Sequence, residues 1–144
     1  MSKLSLSRAN KIVTQAFAHA AEQGYKPLAC VVFDAGGNIK MFKSQDGASN
    51  GRFDVASGKA RGALAVGTGS RWLDAQAASR PHFLAGVASV IEGGIVPVAG
   101  GVIAKDANGN IVAAVGISGD TSDADEACAV AGIEAVNLVA DTGA

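Results

Sequence analysis

Aromatic residues, cysteines and long apolar runs are scarce in this sequence, and each scarcity excludes a class of protein. Aromatic side chains make up 5% of the 144 residues, and there are two cysteines, Cys30 and Cys128. These cysteines lack the spacing of a metal site and lie in apolar stretches, which predicts free thiols that pack as small hydrophobic groups. No run of about 18 apolar residues is present, so no transmembrane segment and no membrane partner are expected. The N-terminus lacks the apolar region of a secretory signal peptide, and we expect a cytoplasmic protein.

Charge of neither sign dominates, since 12 basic and 13 acidic residues give a net charge of −1. Because no basic arm or cluster is present, nucleic acid is not expected as a partner. The charges are nevertheless uneven along the chain, with six basic and three acidic residues between Lys43 and Arg80, and eight acidic residues and one basic residue from Glu92 onward. Either these segments complement each other within or between subunits, or the basic middle segment binds an anion.

Hydrophobic residues make up 49% of the chain and charged residues 17%, which provides enough apolar material for a core. We therefore predict a single domain over residues 1–144. The 19 glycines and the many alanines leave little side-chain bulk with which one subunit could enclose a cavity. We expect a homo-oligomer, a dimer or higher, whose ligand site lies at or near a subunit interface.

Apolar periodicity predicts helices in four segments. The predicted helices are one from Ser5 or Ser7 to Gly24, one from Ser49 or Asn50 to Gly67, a short one over 70–79, and one from Thr121 or Ser122 to Val139. Pro81 interrupts the third of these. The following segment, 82–91, fits helix and strand equally.

Apolar runs rich in β-branched residues predict strands over 28–33, 39–42, 95–98, 101–105 and 111–117. Two turns between them echo each other, since residues 34–39 and 106–111 match at five of six positions, 72 residues apart. Asn108-Gly109, in the second turn, is a strong hairpin signal. Hairpins join antiparallel strands, so we predict an α+β fold with an antiparallel sheet of about five strands flanked by helices.

Several short motifs, in their order and spacing, resemble the GlcG/HbpS-like family, which includes the C-terminal domain of PduO-type adenosyltransferases. The motifs are VVFDAGG at 31–37, DGA at 46–48, Lys59-Ala60, GGV at 100–102, VGISG at 115–119, and Asp125-Glu126 followed by Ala131-Gly132. They cover nearly the whole chain, from Leu4 to Val139. Two positions depart from the family pattern, because Ser44-Gln45 replaces Arg-Met before DGA and Ile103 replaces proline after GGV. Both departures lie near loops that are expected to face a ligand.

The resemblance implies a profilin-like domain in α/β/α layers that assembles into dimers and higher oligomers. Some members of the family bind or degrade haem, and others belong to catabolic pathways for small organic acids or diols. We therefore expect a protein that binds a small ligand, with haem or another tetrapyrrole as the ligand that the family implies. The alternative is an enzyme that acts by acid–base chemistry on a small carboxylate or hydroxy acid.

Haem binding requires an axial ligand, and His19 and His82 are the two histidines of the chain. His19 lies off the apolar stripe of the first helix, where it either is a solvated surface residue or faces a groove or a neighbouring subunit. His82 follows Pro81, and its alternative role is that of a buried, hydrogen-bonded structural histidine.

The entry to the last helix is a candidate anion site. Glycine-flexed N–H groups at the start of a helix bind carboxylates and phosphates, and nearby basic residues would add positive charge. The residues that we assign to this ligand site are Arg52, Lys59, Gly100, Gly101, Ser118 and Gly119. The alternative is plain capping, in which the acids of the first turn stabilise the helix dipole.

Three further side chains are candidates for acid–base catalysis, namely Asp46, Lys59 and Glu126. Asp123 and Glu126, three residues apart on one helix face, could share a metal ion. Because acids are common in a first helical turn for electrostatic reasons alone, we expect no metal site.

Overall fold

The computed structural model describes residues 3–144, within which five antiparallel strands form one sheet and five helices pack around it. The helices are α1 (Leu6–Gln23), α2 (Arg52–Val66), α3 (Arg71–Ser79), α4 (Pro81–Val90) and α5 (Ser122–Glu134). The strands are β1 (Ala29–Asp34), β2 (Ile39–Ser44), β3 (Gly101–Lys105), β4 (Ile111–Ser118) and β5 (Val139–Asp141). The predicted α+β class with an antiparallel sheet is confirmed.

The strands lie in the order β2-β1-β4-β3-β5, and each neighbouring pair is antiparallel. The pairing of β1 with β4 joins the two predicted hairpins, with Val32 opposite Val115. Both of these strands are almost entirely buried, whereas the edge strand β2 is mostly exposed. The core of the sheet therefore lies along β1, β4 and β3.

The two hairpin turns are held by the same contacts. Asp34 Oδ1 accepts hydrogen bonds from the backbone N–H groups two and four residues later, at 3.0 and 2.9 Å. Asp106 Oδ1 repeats both contacts at 2.9 Å. These bonds, chiefly the one from four residues later, favour the carboxylate and lower the pKa of each aspartate. The sequence echo therefore reflects shared turn chemistry.

Helices cover both faces of the sheet, as expected for α/β/α layers. α1 and α5 pack on one face, in a cluster that includes Ile12, Val32 and Ile133. α2 packs on the other face, where Ala60 contacts a cluster that includes Phe33. Successive residues of a strand point to opposite faces, so the apolar run of β1 supplies both layers of core.

The predicted caps of α1 and α5 are confirmed. Ser5 Oγ accepts the N–H group three residues later at 3.1 Å, and Gly24 ends α1 with a φ of 70°. Thr121 Oγ1 likewise accepts an N–H group of α5 at 3.2 Å. These polar caps satisfy donors that the helix leaves without an internal acceptor.

In the middle of the chain, one prediction is wrong and one open alternative is decided. α2 follows Gly51, which makes no side-chain cap bond, so neither Ser49 nor Asn50 caps this helix. The segment 82–91, which fitted helix and strand equally, lies in α4 except for its last residue, and α4 begins at Pro81. Proline suits the first position of a helix because it has no N–H group to leave unpaired.

The fifth strand is not the one predicted. Residues 95–98 form no strand, because the N–H group of Val96 donates to a carbonyl of α2 at 3.1 Å and Pro97 has no N–H group for a strand ladder. Strand β5 follows α5 instead and pairs with β3. The last helix therefore ends at Glu134, and Val139 belongs to a strand rather than to a helical stripe.

Cys30 and Cys128 are free and buried, as predicted. Burial raises the pKa of both thiols, that of Cys128 to about 12, so both stay protonated at neutral pH. In the part of the chain that the structure describes, no helix has the length and apolarity that a membrane crossing requires.

α2 lies in backbone contact with the central strands. A Cβ atom at Gly116 of β4 would lie 2.0 Å from the carbonyl oxygen of Ala56, and one at Gly101 of β3 would lie 2.3 Å from that of Lys59. Both distances are far shorter than van der Waals contact. A side chain at either position would therefore push α2 away from the sheet.

We predict that Gly116→Ala lowers the free energy of unfolding by about 2–3 kcal/mol, because the added methyl group collides with α2. Gly51→Ala is the matched control, since Gly51 has a negative φ and open space around its Cβ position. This control should change stability by less than about 1 kcal/mol. Urea unfolding measures both variants, and equal stabilities would contradict the close contact.

Candidate functional site

Lys59 of α2 and Asp125 of α5 form an ion pair inside the protein. Lys59 Nζ lies 3.0 Å from Asp125 Oδ2, and the two side chains are 3% and 1% exposed. Nζ also donates to the carbonyl of Ile117 at 2.9 Å. Burial lowers the pKa of Lys59 and raises that of Asp125, because loss of water disfavours both charges, while their mutual attraction opposes these shifts. The pair connects two helices that lie on opposite faces of the sheet.

Gly100 and Gly101 lie beside this ion pair. A Cβ atom at Gly100 would lie 2.8 Å from Lys59 Nζ. The carbonyl of Gly100 accepts the N–H group of Ile117 at 3.0 Å, next to the strand end that carries Ser118. The two glycines thus lie against Lys59, whose atoms occupy the space where their side chains would stand.

The entry to α5 uses its backbone N–H groups internally. The N–H group of Asp120 donates to Asp125 Oδ1 at 3.0 Å, and that of Thr121 donates to Asp120 Oδ1 at 2.8 Å. The side chain of Thr121 accepts an N–H group of the first turn of α5. Gly119 packs so closely on the segment before β1 that a Cβ atom would lie 2.3 Å from a carbonyl oxygen. The N–H groups of Asp120 and Thr121, at the predicted anion site, therefore already donate to carboxylates of the protein.

Two acidic side chains near the start of α5, Asp123 and Glu126, converge on one arginine. Arg71 of α3 forms ion pairs with Glu126, at 3.0 Å from Nε to Oε2, and with Asp123. The hydrogen bonds from Glu126 and Asp123 raise the pKa of Arg71. Asp123 and Glu126 thus share a guanidinium group, and no cluster of three or more metal-binding side chains occurs within residues 3–144.

An open groove of about 590 Å³ runs between the C-terminal end of α1 and the loop after β2. Its lining residues are Ala20, Ala21, Tyr25, Pro27, Ser44, Gln45 and Asp46. His19 is half-buried and is not one of these lining residues, but its ring lies edge-on to that of Tyr25 at a centroid distance of 6.3 Å. The candidate acid Asp46 is exposed on the groove wall. Of the residues singled out in the sequence, Asp46 therefore lines the groove, and His19 contacts the lining residue Tyr25.

Ser44 and Gln45, at one departure from the family pattern, line this groove. Ile103, at the other departure, was expected near a loop but lies within β3, where it is buried in the core on the α2 face. Gln45 Oε1 accepts the N–H group of Leu28 at 2.8 Å, which ties the groove wall to the start of β1. Tyr25 was missed in the sequence. It is the single tyrosine of the sequence and follows the glycine that ends α1. An aromatic residue at that position could have indicated that the end of α1 lines a groove.

A smaller pocket of about 170 Å³ adjoins the groove at Pro27 and contains Arg52. Arg52 donates to Ser49 Oγ and to Ser118 Oγ, both at 3.1 Å. Within residues 3–144 no carboxylate lies within 4.0 Å of its guanidinium group. Two hydroxyl groups thus orient a cation whose charge they do not neutralise.

His82 lies elsewhere, on the exposed surface of α4, and does not line the groove. Lys59 and Glu126, two of the three candidate catalytic residues, are held in ion pairs. Of the residues assigned to a ligand, Arg52, Ser118 and Gly119 lie together, whereas His19 contacts Tyr25 of the larger groove.

Comparison with known proteins gives a family match over most of the chain. The family model described as haem degrading protein HbpS-like matches residues 4–134. No curated protein matches the chain.

Solved structures match over nearly the whole length. A crystal structure of a PduOC–haem complex is 25% identical, with a TM-score of 0.84 over 95% of this chain and 97% of that one. A crystal structure of HbpS is 27% identical, with a TM-score of 0.79 over 94% of this chain and 91% of that one. A double mutant of HbpS from Streptomyces reticuli is 28% identical, with a TM-score of 0.78 over 94% and 88%. The resemblance seen in the sequence motifs is therefore confirmed.

We predict that Lys59→Met lowers the free energy of unfolding by about 3–5 kcal/mol, because it leaves Asp125 buried without its partner. The double variant with Asp125→Asn should lose less than the sum of the two single changes, as measured by a double-mutant cycle in urea. Lys105→Met is the control, since its pair with Asp141 is partly exposed, and it should cost no more than about 1 kcal/mol. If the losses in free energy of unfolding of the two single variants add up in the double variant, Lys59 and Asp125 do not stabilise each other.

Proposed function

This chain belongs to the HbpS-like family, and on that premise we propose that it binds haem or another tetrapyrrole in the groove beside His19. The observation that carries the proposal is the half-buried imidazole of His19, which packs edge-on against Tyr25 in the wall of an open groove of about 590 Å³. Small-molecule sites have volumes of roughly 300–1,000 Å³. The haem complex of PduOC, which matches this chain end to end, supports the same ligand class.

The apolar part of the groove lining suits the flat face of a tetrapyrrole. Ala20, Tyr25 and Pro27 supply apolar contacts, and an imidazole is a common axial ligand of haem iron. Bound haem would supply an iron centre for redox or oxygen chemistry. The part of this chain is to hold the ring and to offer His19 as the ligand.

Arg52 is placed to bind an acidic group of that ligand. Its pocket adjoins the groove at Pro27, and its guanidinium group is oriented by Ser49 and Ser118 rather than neutralised by a carboxylate. An oriented arginine binds a carboxylate through two parallel hydrogen bonds. We assign to Arg52 the binding of a haem propionate.

An enzyme that acts on a small carboxylate or hydroxy acid is the second candidate function. The observation in its favour is that Asp46, an exposed carboxylate, and Arg52 lie in adjoining cavities. In this case Asp46 would move a proton while Arg52 holds the carboxylate of the substrate. Thermal stabilisation by lactate that disappears in Arg52→Gln, without any response to haemin, would favour this candidate.

We predict that haemin titrated into the pure protein gives a saturable shift of the Soret band. His19→Ala should raise the dissociation constant at least about tenfold, because the iron loses its axial imidazole. His82→Ala is the matched control and should bind as the unaltered protein does, since His82 lies on the exposed surface of α4. A Soret shift that survives replacement of both histidines would overturn axial ligation by histidine.

We also propose that the protein is a homo-oligomer in which α4 packs against α4 of a second copy. α4 is apolar over most of its length, yet none of its residues is buried, and Val90 is 77% exposed. Gly86, in the middle of this helix, has open space around its Cβ position, so no contact among residues 3–144 explains a residue that weakens a helix. A second helix approaching at Gly86 would account for both observations.

Charge favours a second copy of this chain as the partner. Arg80 precedes α4 and Glu92 follows it, and neither forms an ion pair within residues 3–144. In an antiparallel pair related by a two-fold axis, Arg80 of one copy lies beside Glu92 of the partner subunit, and the reverse contact forms by symmetry. The surface is therefore complementary to itself.

We predict by light scattering a mass that is a multiple of the 14.3 kDa of one chain. Arg80→Glu should raise the dissociation constant of the oligomer about tenfold or more, and adding Glu92→Arg should restore it, because the swapped charges pair again. Leu6→Glu, which alters an exposed apolar residue of α1, is the control and should not change the mass. A sharp monomer for the unaltered protein at micromolar concentration would contradict the proposal.

A further inference from the structure

Another cavity lies on the α2 face of the sheet, away from the groove along α1. It has a volume of about 170 Å³, between α2 and the hairpin of β1 and β2. The apolar part of its wall consists of Phe33, Ile39, Phe53 and Leu64. An apolar protein cavity of roughly 150 Å³ holds benzene, so this volume suits one aromatic ring.

A buried hydroxyl group in the wall has no partner. Ser57 of α2 is 1% exposed, and its Oγ makes no hydrogen bond within the described chain. Buried polar groups nearly always have a partner, so this one requires an explanation. Because Oγ has no bond to lose, rotation about the single χ1 angle of Ser57 can direct the hydroxyl to a molecule in the cavity.

The rim of the cavity carries a fixed cation. Arg61 of α2 donates from Nη1 to the carbonyl groups of Gly93 and Gly94, at 3.0 and 2.9 Å. Among residues 3–144 no carboxylate lies within 4.0 Å of this guanidinium group. Two carbonyl contacts therefore hold Arg61 in place while leaving donors and a full charge for an anion.

We propose that this cavity binds a small aromatic carboxylic acid. The ring lies among Phe33, Phe53 and Leu64, and the carboxylate meets Arg61 at the rim. Ser57 donates its hydroxyl hydrogen to the same carboxylate. This site is separate from the groove beside His19 and does not depend on haem binding.

Benzoate is the probe, measured by titration calorimetry on the intact protein. We expect saturable binding of one benzoate per chain, about tenfold tighter than that of benzyl alcohol, which lacks the charge. Arg61→Gln should abolish this preference. Arg8→Gln is the matched control, because Arg8 also donates to a backbone carbonyl, that of Val136 at 2.9 Å, but lies on α1. Absence of saturable binding at millimolar benzoate, or equal affinity for benzyl alcohol, would overturn the proposal.

Ser57→Ala separates a ligand contact from a structural one. The variant should weaken benzoate binding about fivefold, because one hydrogen bond to a charged group is lost. It should leave the stability of the free protein unchanged or raised, since the hydroxyl has no partner there. A variant that is destabilised but binds benzoate unchanged would show that Ser57 serves the fold alone.

Discussion

The close contact between α2 and the central strands is the constraint on which the rest of the structure depends. Gly116 and Gly101 have no side chains, so the backbone of α2 occupies the space that side chains at these positions would need. At this depth Lys59 projects past the end of β4 and reaches Asp125 of α5, on the other face of the sheet. A charge placed so deeply is tolerable only because it is paired and hydrogen-bonded. The ion pair thus connects the two helix layers past the end of the sheet's central strand.

The same contact positions the cationic side of the candidate ligand site. Because the start of α2 is held against the end of β4, Arg52 reaches Ser118, and its guanidinium group lies in the pocket that adjoins the groove at Pro27. The groove itself depends on the end of α1, where Gly24 turns the chain and Tyr25 packs beside His19. The residues of the candidate ligand site therefore come from the ends of different helices rather than from one contiguous motif.

Much of the fold was predictable because its signals are local. Asp34 and Asp106 hold their own hairpin turns, and Ser5 caps its own helix, so short stretches of sequence specify these elements. β5 was missed because three residues carry no periodic pattern, and its pairing with β3 is a tertiary event. Residues 95–98 have the composition of a strand, but the bond from Val96 to α2 takes the place of a ladder.

Individual residues of the candidate site were predictable from the sequence, but their partners were not, because tertiary contacts decide which side chains meet. Lys59 and Glu126 belong to ion pairs with partners 66 and 55 residues away, which no local spacing reveals. Arg52 meets Ser118 across a similar separation of 66 residues. The contact of His19 with Tyr25 is by contrast local, because it forms where Gly24 ends α1.

The most direct test of the proposed haem site is a crystal structure of the haem-loaded protein. We expect haem in the groove, with His19 bound to iron and a propionate at Arg52. Haem bound elsewhere, or iron without His19 as its ligand, would contradict it.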